Sequence, residues 1–543
     1  MIGESKYYSI FNDILGPVMI GPSSSHTAAP VRIGNLAGQL IEYSSKKVTI
    51  EFESNKSFGG NYIGLKSDKG FIAGILGWTT DDPMLPFSLI EGEKRNIEIS
   101  FKINDFKNED YFIQKYSTIK EHRKKLNEEV VKINLTSVSN EKYVVLGKSI
   151  GGGMVEIIEI NNLPVSITGN HYEQLLLLNN VNEKGIAEIY IKIKSIIPGY
   201  QFIDYSIYRG RGIINIKTNF EVDLDVLSNF KKIKNVIKVF QIKPILPVLF
   251  NKNCKVPFRI ANDMHLFSKN KGIELWEAVL TYESTISGWN SKKILNNIKK
   301  LLAIMKEAIK NGLNREEEKL GYKSTETKKI YNNYIHGKFL STGILDKATL
   351  YALATMEVNS TSSGPIIAAP TAGACGILPS VILSTGEENE ISEDRLEKAL
   401  LVAAGIGLAL AEQASFAGDI AGCQAECGSA SSMAAGAVAY LADGNSEQIL
   451  SAASIALQNL LGLICDQVGG QVITPCINRN IMAVSNSISS ANIAISGYNP
   501  VIPLDEVIQV MYRVGKLLPP ELKGTCLEGL RGAPTAKKLT TQR

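Results

Sequence analysis

From Thr349 onwards the chain is rich in Ala, Gly and Ser and apolar on all sides. A helix without a polar face cannot border water, so helices of this kind pack closely in a buried bundle. Leu400 to Ala411 is a long apolar run but too short to cross a bilayer, which takes about 20 residues. Three cysteines fall in this half between Gly422 and Asn480: Cys423, Cys465 and Cys476, each among small residues or beside Pro and Gly. Thiolates are the soft ligands that iron–sulfur clusters need. Four such ligands leave no vacant iron, whereas three leave one that can act as a Lewis acid. On spacing alone the plainer reading is preferred, that of small buried apolar residues, because no compact Cys-x-x-Cys pair is present.

With 543 residues, several domains are expected. The small net charge of +4, without a long basic tract, argues against a nucleic-acid binder. Lys-rich pieces such as Ser291-Lys-Lys293 read as solvated helix faces. Seven scattered cysteines do not form the pattern of a secreted disulfide framework. Met1 to Lys6 does not read as a signal peptide. The expected setting is a reducing cytoplasm, with no membrane partner.

In chain order, residues 1 to about 160 read as an α/β domain. Val48–Phe52, Ile97–Phe101 and Val131–Leu135 alternate apolar and polar, the period of half-buried strands. Before them lies Ile20-Gly-Pro-Ser-Ser-Ser-His-Thr27. Gly-Pro breaks regular structure, and Ser23, Ser24, Ser25 and Thr27 then offer hydroxyls at a helix start suited to a carboxylate. His26 could donate to that group or move a proton. A Ser-rich capping turn with a solvated His is the competing reading. Residues 164–245 run strand, helix, strand, strand, helix, strand, with Arg209-Gly-Arg-Gly212 at a hairpin, which fits a ferredoxin-like module. Residues 255–345 are helical, with Asn311-Gly312 as a stop signal and Arg315 to Lys329 as an exposed connection. Residues 346–543 are the mostly α-helical part. Asn359, Ser360, Thr361, Ser362 and Ser363 are polar exceptions there, a cap or turn cluster on composition alone.

Four words occur in order: Ala369-Pro-Thr-Ala-Gly-Ala374, Gly422-Cys-Gln-Ala-Glu426, Cys465-Asp466 with Gly469-Gly470, and Pro475-Cys-Ile-Asn-Arg-Asn480. Together they resemble the α-domain of the iron–sulfur L-serine dehydratases. Gly21-Pro-Ser-Ser-Ser-His-Thr27, Asp68 to Gly77, Asp81-Asp82 and Ser149-Ile-Gly-Gly-Gly153 resemble that family's β-domain, so the likeness covers both halves. The resemblance implies a [4Fe-4S] cluster on Cys423, Cys465 and Cys476. It implies β-elimination of water from L-serine to give pyruvate and ammonia. It puts the substrate carboxylate on the turn of Ser23, Ser24, Ser25 and Thr27, and the loop of Asn359 and Ser360 towards the cluster; His26 and Asp68 are the candidate catalytic residues of this chain. It implies no pyridoxal phosphate, for which no lysine context exists. The middle module would be ACT-type, with a structural or oligomerising role. A homodimer is expected.

The chain also departs from the family pattern. Where the family has Gly-His-Gly-Thr-Asp, this chain reads Gly64-Leu-Lys-Ser-Asp68, which puts Leu65 in place of an active-site His. Ala417 to Ala421, Glu412-Gln413 and Tyr322 to Lys328 differ as well. Losing one proton donor or acceptor costs about 10²- to 10⁴-fold in rate. His26, Lys66 or Asp68 could replace the missing base, or the substrate could be another β-substituted amino acid. The alternative is a catalytically silent member with a regulatory, redox-sensing or assembly role. Electron transfer lacks a convincing fourth ligand. Cys375 and Cys526 are read as packing residues.

Overall fold

The computed structural model describes residues 7–54, 56–105, 129–524 and 527–541. Its N-terminal part is a six-stranded sheet in the order β3-β2-β4-β5-β6-β7. The strands are β2 (Ser45–Glu53), β3 (Glu98–Asn104), β4 (Glu129–Ser137), β5 (Lys142–Gly151), β6 (Met154–Ile160) and β7 (Leu163–Ile167). Only β2 and β3 run parallel. All three segments that alternate in sequence are strands here, and Val48, Ile50, Phe52, Val131, Ile133 and Leu135 form one core. The helices Ala29–Gln39 and Ser67–Ile75 pack against each other through glycines: a Cβ on Gly74 would lie 2.0 Å from the Val31 carbonyl oxygen.

A second, antiparallel sheet has the order β11-β8-β10-β9, made of β8 (Tyr172–Asn179), β9 (Phe202–Tyr208), β10 (Arg211–Thr218) and β11 (Val236–Ile242). The helices Glu183–Ile196 and Leu224–Lys231 lie between its strands in the chain, in the order expected. Strand β8 explains how this sheet is held. Leu176 and Leu178 pack on the helices with Ile186, Ile193 and Phe230, while Leu175 and Leu177 join the core of the first sheet. A strand buried on both faces loses its alternation and reads as a continuous apolar run.

The C-terminal part is helical. Every residue of the helix Ser429–Leu441 is buried, and so are Ala399 to Ala411 of the helix Glu393–Gln413. The same core takes in Ile10, Phe11, Ile14 and Leu15 from the other end of the chain. Buried Glu283 fixes that segment, accepting from the Ser9 hydroxyl (2.8 Å) and the Ile10 N–H (2.9 Å). Strand β1 (Val18–Ile20) then pairs antiparallel with the strand Pro365–Ile367, so the two parts share a small sheet. No helix among the described residues is long and apolar enough to cross a membrane.

Two local expectations are revised. The helix Ser291–Asn314 runs through Asn311-Gly312 rather than stopping there. Gly312 is needed for close packing: a Cβ on it would lie 2.4 Å from the Ala354 carbonyl oxygen. Residues 315–329 are also more than an exposed connection. Lys319–Leu320 and Lys323–Ser324 form a hairpin, and Glu357 accepts from the Glu326 N–H, the Thr327 N–H and the Thr327 hydroxyl at 2.7, 3.0 and 2.7 Å. Gly312→Ala tests the packing account by its sign. Helix propensity alone favours Ala by about 1 kcal/mol, but overpacking costs about 1–3 kcal/mol. A lowered thermal midpoint is expected, and a raised one would refute the packing role.

Candidate functional site

The hydroxyl turn is a tight helical turn, Ser24–Ala28, capped by Ser23 and continued by the helix Ala29–Gln39. Its side chains divide into two sets. Ser24 and Thr27 are buried and bonded inwards: Ser24 Oγ accepts from the Ala372 N–H (3.4 Å), and Thr27 Oγ1 donates to the Leu65 carbonyl (2.7 Å). Ser23 and Ser25 are half-buried, and Ser25 Oγ lies 2.9 Å from His26 Nδ1. His26 is buried beside the Phe58 ring, and its Nε2 has no hydrogen-bond partner among the described residues. Burial pushes its pKa down to about 4, so the ring is neutral at neutral pH.

A second loop meets this turn. Ser67 Oγ donates to the His26 carbonyl (2.6 Å), and Lys66 takes a left-handed conformation (φ 58°) at the start of the helix Ser67–Ile75. The Lys66 ammonium donates to the Thr361 carbonyl (3.3 Å) and to Ser362 Oγ. Burial, helped by the charge of Lys69, lowers its pKa to about 8. Leu65 is buried in an apolar cluster that also contains Cys476 and Cys375. Asp68 sits in the first helical turn with one oxygen unpartnered, and burial raises its pKa.

Asn359, Ser360 and Thr361 form the last turn of the helix Ile344–Thr361, with Ser362 as its left-handed cap. Asn359 Nδ2 donates to the carbonyls of Pro22 and Ala372, each at 3.0 Å, and so ties the hydroxyl turn to the 369–376 turn; its Oδ1 has no partner. Ser360 Oγ is taken up by the Met356 and Val472 carbonyls. Together with Lys66, Gly64, Thr361 and Gln471 it borders a cavity of about 140 Å³. Gly151, Gly152 and Gly153 all have positive φ and make the β5–β6 turn that packs against Ala417, Pro370, Pro17 and Ser24.

On the other side of the 369–376 turn lie the cysteines. The ligand atoms of Cys423, Cys465 and Glu426 lie within 4.8 Å of one another; Cys476, at the start of the helix Cys476–Ile495, is buried nearby but is not in that group. Hydrogen bonds from the thiols of Cys427 and Cys465, aided by Arg479, pull the Cys423 thiol well below the ordinary range despite its burial. Burial and the Cys423 charge push Glu426 up to about 8. Soft thiolate chemistry backed by a guanidinium suits an iron–sulfur group. Arg479 is held by an ion pair with buried Asp466 (2.7 Å), whose other oxygen accepts from the Leu530 N–H (2.8 Å). Glu426, Cys427 and Arg479 were not singled out in sequence, although all three lie in or beside the quoted words. Cys375 donates to Met356 Sδ (3.7 Å), and Cys526 is outside the described residues.

Residues 9–159 match the family model described as serine dehydratase beta chain, and residues 270–531 the one described as serine dehydratase alpha chain. The chain is 35% identical over 282 residues to the probable L-serine dehydratase, alpha chain, of Bacillus subtilis, covering 52% of this chain and 94% of that one. It is 36% identical over 271 residues to the L-serine dehydratase, alpha chain, of Peptoniphilus asaccharolyticus, covering 50% and 92%. With L-serine dehydratase 2 of Escherichia coli the identity is 39% over 189 residues, covering 34% and 41%.

Removing one partner of a buried ion pair costs about 3–5 kcal/mol. Asp466→Ala is therefore expected to lower the thermal midpoint by several degrees. It should also speed proteolytic cleavage after residue 524, because Leu530 loses its acceptor. Unchanged cleavage would show that the tail is held elsewhere.

Proposed function

The chain belongs to the serine dehydratase family, with β-type and α-type parts in one polypeptide, and on that premise we propose that it eliminates water from L-serine to give pyruvate and ammonia. The observation that carries this reading is the meeting of the two parts at the 369–376 turn: Ser24 of the hydroxyl turn accepts from the Ala372 N–H on one side, and Glu426, grouped with Cys423 and Cys465, comes against Gly373 on the other. The relatives' names supply the substrate; a β-substituted amino acid other than serine is the variant of the same reading. The division into domains at 1–160, 164–245, 255–345 and 346–543, an ACT-type role for the second sheet, a homodimer and a cytoplasmic setting belong to this proposal.

Cys423, Cys465 and Cys476 are proposed to hold a [4Fe-4S] cluster, with Cys427 and Glu426 beside them. When bound, the cluster would supply Lewis acidity to the leaving hydroxyl. The rest is assigned to side chains of this chain. Ser23 and Ser25, the two half-buried hydroxyls, orient the carboxylate at the start of the helix, while Ser24 and Thr27 hold the turn in place. Ser25 and His26 act as a pair: the neutral ring fixes the hydroxyl through Nδ1 and leaves Nε2 to meet the substrate.

A general base works best with a pKa near the operating pH. Buried His26, near 4, is too weak a base, whereas Lys66, near 8 and bordering the cavity, fits. We assign it the α-proton, with Asp68 and its open oxygen as the next group in line. Asn359 and Ser360 keep the wall of the cavity rigid through bonds to backbone carbonyls.

The sign of the pH dependence follows from the base. Lys66 must be neutral to accept a proton, so kcat/KM with L-serine should rise with pH through an apparent pKa near 8. Lys66→Met should lose that limb and about 10²- to 10⁴-fold of rate. A retained limb in the variant would assign the proton elsewhere. In anaerobically reconstituted protein, Cys423→Ala, Cys465→Ala and Cys476→Ala should each lose the cluster's visible absorption and bound iron. Cys526→Ala should keep both. A triple variant that still held a full cluster would sink the ligand assignment, and a filled cluster without pyruvate from L-serine would point to another substrate or to a silent member.

A further inference from the structure

Three ligand atoms of the cysteine site are gathered tightly enough for one ion. Cys423 Sγ, Cys465 Sγ and a carboxylate oxygen of Glu426 all lie within 4.8 Å of one another. A point at their centre is then about 2.8 Å or less from each, near the ~2.0–2.3 Å bonds of a zinc-sized ion to oxygen and sulfur. A cluster instead gives each thiolate its own iron and so holds the thiolates apart. Among the described residues, neither Cys476, the third cluster cysteine, nor Cys427 belongs to this group.

The chain is also shaped around the carboxylate. A Cβ on Gly418 would stand 2.7 Å from Glu426 Oε2 and 3.5 Å from Cys465 Sγ, and one on Gly373 would stand 3.1 Å from Glu426 Oε1. Two glycines from separate parts of the chain thus leave the room that the carboxylate fills. Oε2, the oxygen beside Gly418, is also the one to which the Cys423 thiol donates, at 4.0 Å. Cys423 caps the helical turn Gln424–Gly428 that carries Glu426, so local backbone sets these two. Cys465 comes from further along the chain and is held by its own backbone: its N–H donates to the Leu522 carbonyl (2.8 Å) and its carbonyl accepts from the Gly524 N–H (2.8 Å). A thiolate and a carboxylate this close repel each other, and a cation between them turns that repulsion into attraction.

We propose that Cys423, Cys465 and Glu426 form a site for one thiophilic divalent cation, ferrous iron or zinc, taken up by the chain before a cluster is built, with Glu426 as a ligand. Thiolate sulfur selects such ions over magnesium, which prefers oxygen alone. Three protein ligands leave the fourth tetrahedral position to water. Cys476 has no part in this first step and is needed only for the cluster. The inference rests on the reading of Cys423 and Cys465 as metal ligands, but it needs neither the cluster nor the dehydratase activity.

Anaerobic titration of the full, metal-free chain with Co²⁺, a coloured stand-in for both ions, tests it. One equivalent should bind, with sulfur-to-cobalt charge-transfer absorption of the intensity that two thiolates give and the strong visible bands of a four-coordinate ion. Zn²⁺ should displace it, Fe²⁺ should compete with it, and Mg²⁺ should do neither. Glu426→Gln should weaken Co²⁺ binding at least about tenfold, since even outer partners of a metal are worth about 10–100-fold in affinity. Cys465→Ser should lose charge-transfer intensity. Cys476→Ser should keep the parent's Co²⁺ spectrum and affinity while failing to build a [4Fe-4S] cluster on reconstitution. Lost Co²⁺ binding in Cys476→Ser, or unchanged affinity in Glu426→Gln, in variants that melt like the parent, overturns the proposal. Charge transfer from three thiolates in the parent overturns it without any variant. Iron and sulfide counts after reconstitution separate the two readings of the site: a parent that binds Co²⁺ but builds no cluster sinks the cluster alone, and one that builds the cluster but binds no Co²⁺ sinks this site alone.

Discussion

The pairing of Val18–Ile20 with Pro365–Ile367 is the contact on which the candidate site depends. It delivers the hydroxyl turn, which follows it directly, to the turn at 369–376, which follows its partner strand. Six backbone residues would hold two large parts weakly by themselves. The burial of Ile10, Phe11, Ile14 and Leu15 in the helical core reinforces them, and full burial of each such side chain is worth about 1.5–3 kcal/mol. Glu283 completes the anchor by accepting from Ser9 and Ile10. The position of Ser23 relative to the cysteines is thus set by the core of the helical part, and local sequence preference has little say in it.

The fold was legible wherever one physical rule acts alone. Alternation marks β4 because it has one buried and one wetter face, while β3, at the edge of the sheet, has no fully buried residue. The middle sheet is readable from its turn at Arg209-Gly-Arg-Gly212 and from the two amphipathic helices. Reading failed where tertiary contact overrides a local signal. Gly312 is a helix stop by propensity but a packing residue beside Ala354. The charged run 315–329 looks solvated, yet Tyr322 accepts from the Thr474 N–H (3.1 Å) and Glu357 gathers three donors from it.

The candidate site was legible as words and less so as roles. Four hydroxyls look equivalent in Ser23-Ser-Ser-His-Thr27, but Ser24 and Thr27, three apart on a helical turn, share its buried face, which leaves Ser23 and Ser25 half-buried. Leu65 is a missing imidazole in sequence. In space it is a buried apolar residue in one cluster with Cys476, while the next residue, Lys66, with a left-handed backbone, reaches Thr361 and Ser362. Glu426 and Cys427 were missed although, three and four residues after Cys423 on one helical turn, they are its local neighbours; what the fold adds is Cys465, brought into the same group.

The strand pair joining residues 18–20 to 365–367 also has a temporal consequence. Contacts between residues this far apart in sequence form late, because the loop they close must be ordered first. A ribosome delivers the N-terminal segment long before its partners in the helix Glu393–Gln413 exist. Ile10, Phe11, Ile14 and Leu15 therefore spend that interval exposed, a few apolar side chains at the head of a chain whose first sheet can already close. The birth of this protein contains a built-in wait, and the hydroxyl turn, tethered to those residues, acquires its surroundings only when the wait ends.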